Sequence, residues 1–110
     1  KDRGAILPAG HTANGAFWMG KSGEWISSSY YYEQLPEWLI KFQQKKPATS
    51  YFKGAWKGRG FGYPMDSLLA SKGPASVKST PQGNTYLKDL AIELIKSEEL
   101  GKDKITDVLT

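Results

Sequence analysis

Apolar positions in the stretch LPEWLIKFQQKK fall at Leu35, Trp38, Leu39 and Phe42, the i, i+3, i+4, i+7 spacing that lines one helical face. Pro36 suits the first turn of that helix, where a missing N–H costs nothing, and Pro47 marks its stop. A second helical period runs through residues 85–100, carried by Leu87, Leu90, Ala91, Leu94 and Ile95. Asn84 or Thr85 can cap its start, and Gly101 suits its end. The period changes in AFWMGKSGEWISSSY, residues 16–30. Two aromatic and β-branched runs there flank Gly20-Lys21-Ser22-Gly23, a turn suited to positive φ, which predicts a β-hairpin. The last stretch, KITDVLT, reads as the start of a buried strand through Ile105, Val108, Leu109 and β-branched Thr106.

Residues 48–81 keep neither period. At their centre YFKGAWKGRGFGY interleaves glycines, aromatics and bases, which predicts a long ordered loop or a pair of short strands. Tyr51, Phe52, Trp56 and Phe61 would tack it down. Loops this long are functional or cover something in compact domains. The same interleaving also suits a stacking surface for single-stranded nucleic acid or sugar, with the structural loop as the favoured reading. Its glycines lack the spacing of a phosphate-binding loop, and no strand-to-helix context is expected after them.

A chain of 110 residues implies one compact unit, 1–110. With 39% hydrophobic and 24% charged residues it is globular in composition rather than disordered. No apolar run approaches the roughly 20 residues needed to span a bilayer, and no secretory signal core is present. The absence of cysteine excludes a disulfide framework and a Cys-ligated metal site. A net charge of +4 permits an anionic partner, but Lys41, Lys45, Lys46, Lys53, Lys57, Arg59, Lys72 and Lys78 are scattered and read as a solvated surface.

Candidate chemistry is sparse. In an extended backbone Lys1 and Arg3 project to one side and Asp2 to the other, so the two cations can converge on a phosphate or sulfate. From spacing alone a solvated terminal cluster is the simpler reading. His11 has no His or Cys partner for a zinc site and reads as a structural histidine hydrogen-bonded to backbone. Ser27-Ser28-Ser29 has no adjacent base to activate a hydroxyl, so a polar strand edge or turn is expected. By residue type alone this is an α+β unit of a hairpin, two helices and a long aromatic loop, with no complete catalytic constellation.

The strings themselves say more. KDRGAILPAGHTANGAFW, then EWISSSYYYEQLPEW, then STPQGNTYLKDLAIELIKSEELGKDKITDVL resemble an internal stretch of bacterial alkaline phosphatases. These belong to the superfamily shared with the nucleotide pyrophosphatase/phosphodiesterases. The resemblance keeps the family's order from end to end and is weakest across residues 44–79. It implies a fragment of an α/β sandwich, with residues 1–83 as a cap or insertion region and 84–110 as a helix and the start of a core strand.

The implied activity is zinc-dependent hydrolysis of phosphate monoesters, with two Zn²⁺ in the parent enzyme and none bound by this chain. Lys1 and Arg3 match the Lys-x-Arg pair that grips phosphate oxygens in the monoesterase branch, and Asp2 is read as orienting the pair. The nucleophile and metal ligands are expected beyond both ends, so the 110 residues alone are expected to be inactive. Diester or pyrophosphate cleavage is the alternative activity, and a free-standing glycan or nucleic-acid module the third. The implied partners are the monoester substrate and the remainder of the parent chain, without nucleic acid or membrane. Uncovered apolar faces on the helix and strand predict self-association or local disorder of the C-terminal strand, and the family implies a periplasmic or secreted location.

Overall fold

The computed structural model describes residues 2–110. The helix α1 (Asp2–Ala9) leads into a first hairpin of β1 (Trp18–Met19) and β2 (Trp25–Ile26). Gly23, at φ +83°, closes its turn, and the Gly20 N–H donates to the Glu24 carbonyl at 2.8 Å. A Cβ on Gly23 would stand 2.7 Å from that of Ala48, so glycine is required there by conformation and by space. The expected hairpin forms, and its antiparallel register pairs Trp18 with Ile26 and Met19 with Trp25.

The helix α2 (Glu37–Lys45) follows, with Leu39 and Phe42 buried and Trp38 partly so. Pro36 sits one position before the first turn rather than in it, and Pro47 lies beyond the end. The Trp25 N–H donates to Gln43 Oε1 at 2.6 Å and ties the hairpin to this helix. Leu39 is wholly buried, which is worth roughly 1.5–3 kcal/mol.

The aromatic stretch is a pair of short strands. A 3-10 turn (Ala48–Tyr51) leads to β3 (Ala55–Gly58) and β4 (Phe61–Pro64), paired antiparallel with Trp56 opposite Tyr63. A helix absent from the sequence reading then appears, α3 (Met65–Lys72). Its eight residues carry only Met65, Leu68 and Leu69 as an apolar face, too few repeats for a period to show.

The last helix, α4 (Pro81–Ser97), begins four residues earlier than its apolar repeat suggests. Thr80 holds the N-cap position and Pro81 the first turn, where proline is preferred. The Thr80 hydroxyl donates to the Val77 carbonyl at 2.7 Å instead of capping the helix, so Asn84 and Thr85 are helix interior. Beyond Ser97 the chain turns through Gly101 at φ +76° and continues without a strand. Ile105 and Val108 are 74% and 80% exposed. The strand expected at 105–109 does not form among the described residues, because an extended segment needs an edge to pair with.

One core joins these pieces. Tyr86 of α4 is fully buried and meets Tyr51, Trp25 and Phe42 at ring-centroid distances of 4.5, 5.0 and 6.2 Å. Leu39, Phe52, Met65, Leu68, Val77 and Leu90 complete the cluster. Its hydroxyl donates to the Gly23 carbonyl at 3.3 Å, so the hairpin turn, α2 and α4 converge on one side chain.

Candidate functional site

The segment after Lys1 is helical, and this corrects the expected geometry of the opening triplet. Asp2 and Arg3 lie in a helix, so the extended backbone assumed for the opening triplet does not hold from Asp2 onward. Lys1 itself, and the side chain of Asp2, lie outside what the structure describes. Arg3 stands in the first turn of α1 and shares a face with Ile6 and Leu7. The helix contains Pro8 and ends at Ala9, and Gly10 at φ +62° turns the chain while its N–H donates to the Ile6 carbonyl at 2.9 Å.

Two tyrosines fasten the end of α1. The Tyr31 hydroxyl donates to the Gly10 carbonyl at 2.8 Å, and the Tyr30 hydroxyl to the His11 carbonyl at 3.0 Å. The Tyr30 hydroxyl lies 3.4 Å from His11 Nδ1, and the two rings meet edge-on. His11 is therefore part of a structural clasp. Of the serines, Ser27 donates to the Ala16 carbonyl at 2.7 Å and the Ser28 carbonyl receives the N–H groups of Tyr31 and Tyr32. This is the polar edge and turn that the sequence suggests. Between α1 and the Ser28–Tyr31 turn lies an apolar cleft of about 290 Å³ bordered by Ile6, Leu7, His11, Tyr30 and Tyr31.

A second cleft, of about 210 Å³, opens between the β3–β4 hairpin and α3. Here β4 feeds directly into α3, so the strand-to-helix context judged absent from the sequence does exist. The glycines lie before β4 or, as Gly62, inside it, and none occupies the Pro64–Met65 strand-to-helix junction, so it is still no phosphate-binding loop.

The most perturbed titratable groups are structural. The Tyr51 hydroxyl donates to Asp89 Oδ2 at 2.8 Å, and Lys46 Nζ lies 3.0 Å from the same oxygen. The tyrosine hydrogen bond, aided by Lys46, holds the Asp89 carboxyl below the usual range. Burial, and then the neighbouring Asp89 carboxylate, push Tyr51 well up. Sequence reasoning missed this trio because its members lie up to 43 residues apart and share no motif. Among the described residues no group of three or more His, Cys, Asp or Glu side chains is placed to hold a metal ion.

No family model matches the chain. Among curated proteins it is 38% identical to a calcium-transporting ATPase of Myroides odoratus, covering 99% of this chain and 25% of that protein. It is 33% identical to the alkaline phosphatase PhoV of Synechococcus elongatus, covering 99% of this chain and 24% of the relative. Identity to the alkaline phosphatase PafA of Elizabethkingia meningoseptica is 31%, over 100% of this chain and 25% of the relative. Among solved structures, wild-type alkaline phosphatase PafA superimposes with a TM-score of 0.75 at 32% identity, over 97% of this chain and 26% of that one. The chain thus spans about a quarter of the length of the relatives it matches. In sequence, and against PafA in backbone too, the chain is homologous to about a quarter of these alkaline phosphatases.

Proposed function

We propose that the chain is part of a zinc-dependent alkaline phosphatase that hydrolyses phosphate monoesters, to which it contributes substrate-phosphate binding and a lid over the site. The observation that carries this reading is the end-to-end similarity to two alkaline phosphatases, together with the backbone match to one of them. The relative named a calcium-transporting ATPase carries a different activity in its name, whereas the solved structure that superimposes on this chain is an alkaline phosphatase.

Arg3 supplies a planar fork of donors and Lys1 a compact charge, and both act on non-bridging phosphate oxygens. A monoester carries about one more negative charge than a diester, and the transferring group is stabilised mainly by positioned cations. Asp2, between them in sequence, orients the pair. Among the described residues no metal-ligating group gathers. The two Zn²⁺ would be held by residues of the longer chain and would supply stabilisation of charge on oxygen there. In that setting residues 1–83 form the cap region and 84–110 bring a helix and a strand back to the central sheet. A periplasmic or secreted location accompanies the reading.

The isolated 110 residues, given zinc and an aryl phosphate, should show no turnover above background. Turnover there would contradict the division of labour. Lys1→Ala and Arg3→Ala in the full enzyme should slow monoester cleavage far more than diester cleavage. Equal losses on both ester classes would instead favour the phosphodiesterase or nucleotide pyrophosphatase alternative.

A further inference from the structure

The segment that joins α1 to the first hairpin contains Asn14-Gly15, and Asn14 is one of two asparagines in the chain. Asn14 stands exposed at a bend, and Gly15, Ala16 and Phe17 follow in irregular backbone. Among the described residues, neither the Asn14 side-chain amide nor the Gly15 N–H takes part in a hydrogen bond. A side-chain amide and the main-chain nitrogen that follows it are thus both unengaged and close in sequence.

The residue after Asn14 has to be glycine. A Cβ at position 15 would collide with Tyr32 Oη and stand 2.9 Å from Cε2 and Cζ of the same ring. Tyr32 also stacks on Phe17, with ring centroids 5.3 Å apart and planes at 17°. With no Cβ of its own, Gly15 presents its nitrogen without steric shielding and can turn through conformations other residues avoid.

Asn84 is the internal comparison. It is also exposed, but it lies inside α4 and is followed by β-branched Thr85. The Thr85 N–H falls four residues after Pro81, where the helix ladder engages it. That nitrogen cannot turn toward the Asn84 side chain without opening the helix.

We propose that Asn14-Gly15 is a site of spontaneous deamidation, which converts Asn14 to a mixture of aspartate and isoaspartate in the folded protein. The Gly15 nitrogen gives its proton to solvent base and forms a bond to Asn14 Cγ. The Cγ–Nδ2 bond breaks, and ammonia leaves with a proton from water. Water then opens the five-membered imide. Opening at Cγ restores the main chain as aspartate, and opening at the Asn14 main-chain carbonyl routes the chain through Cγ as isoaspartate. One water is consumed for each ammonia released, and nothing is oxidised or reduced. Either product puts an anion in place of a neutral amide. Isoaspartate also lengthens the main chain by one carbon ahead of Ala16, whose carbonyl accepts the Ser27 hydroxyl at 2.7 Å. The reaction needs only water and base, so it is independent of the phosphatase reading.

The test is storage of the protein in mildly alkaline buffer, followed by ion-exchange chromatography and by peptide mapping with mass spectrometry. The expected result is a gain of one mass unit at Asn14, with both isomers present, and an acidic species that grows in step with it. Asn14 should convert at least about tenfold faster than Asn84, because Asn84 must first open a helical turn. Asn14→Gln should abolish the acidic species, and Asn84→Gln should leave it. A short peptide spanning residues 11–18 serves as the unfolded reference. A folded-protein rate more than about tenfold below that of the peptide would show that the fold protects the site, and would overturn the proposal. Equal conversion at the two asparagines, or an acidic species that survives Asn14→Gln, would overturn it as well.

Discussion

Replacing Gly83 by alanine should destabilise the protein, although glycine-to-alanine changes inside helices ordinarily stabilise. Gly83 lies in the first turn of α4, against the 3-10 turn Pro74–Ser79. An added Cβ would collide with the Val77 carbonyl oxygen and stand 3.0 Å from Lys78 Cα and 3.1 Å from the Val77 carbonyl carbon. That carbonyl cannot easily retreat, since it accepts both the Thr80 N–H at 3.0 Å and the Thr80 hydroxyl at 2.7 Å. The helix-propensity gain is about 1 kcal/mol. Overpacking costs about 1–3 kcal/mol, and a clash with pinned backbone belongs at the upper end. The net loss is therefore about 1–2 kcal/mol, or a melting temperature lowered by roughly 5–12 °C in a domain of this size. Gly4, in α1, offers the opposite case, because a Cβ there meets nothing within 4 Å. Gly4→Ala should gain up to about 1 kcal/mol. Thermal melts followed by helical circular dichroism compare the two variants. A Gly83→Ala protein that melts at or above the parent temperature would refute the packing described for α4.

Burial raises Tyr86 from its ordinary 10.0 to about 12, with Glu24 adding to the shift. Its contribution to stability is complete below pH 10 and is lost as pH rises toward 12, because the unfolded tyrosine ionises first. Tyr86→Phe should flatten that alkaline slope in unfolding titrations; an unchanged slope would contradict the burial. Asp89, held low by Tyr51 and Lys46, works in the other direction: its stabilisation is present above about pH 4 and disappears as pH falls through its depressed native value. Asp89→Asn should therefore cost about 1–2 kcal/mol at neutral pH and remove the corresponding acid-limb slope in urea melts. The exposed Leu87, Ile92 and Ile95 on α4, with Ile105 and Val108 beyond it, should make the isolated 110 residues self-associate in sedimentation experiments. Leu87→Lys with Ile95→Lys should reduce that association, and a concentration-independent monomer in the unsubstituted chain would argue against it.

What could be read in advance follows from how locally each feature is encoded. The Trp38, Leu39 and Phe42 face and the Gly20–Gly23 turn carry their structure within a dozen residues, and both form, although Leu35 stands before the helix rather than on it. The apolar repeat of α4 identified the helix but misplaced its start, since Pro81 after Thr80 was the boundary signal. The helix α3 was signalled only by its ends, Pro64 and Gly73, around two turns with little periodicity. Helical α1 overrode the extended reading at Asp2 and Arg3, because Ala5, Ile6 and Leu7 favour either state until their neighbours decide. The expected strand at 105–109 depends on a pairing edge, which no local sequence can supply. Of the sites, the Lys-x-Arg pair emerged from family resemblance rather than spacing. The aromatic cleft was half legible, its rings and bases visible in YFKGAWKGRGFGY but its α3 wall hidden.

The most direct test of the phosphatase reading is the catalytic efficiency of the natural full-length enzyme on an aryl phosphate monoester, with and without Arg3→Ala. Loss of a charge-assisted contact to phosphate is worth about 1.5–3 kcal/mol, so kcat/KM should fall by about 10- to 100-fold while an aryl diester is cleaved nearly as before. Monoester cleavage that is unaffected by Arg3→Ala, in a protein whose melting temperature is also unchanged, would contradict the assignment of phosphate binding to this end of the chain.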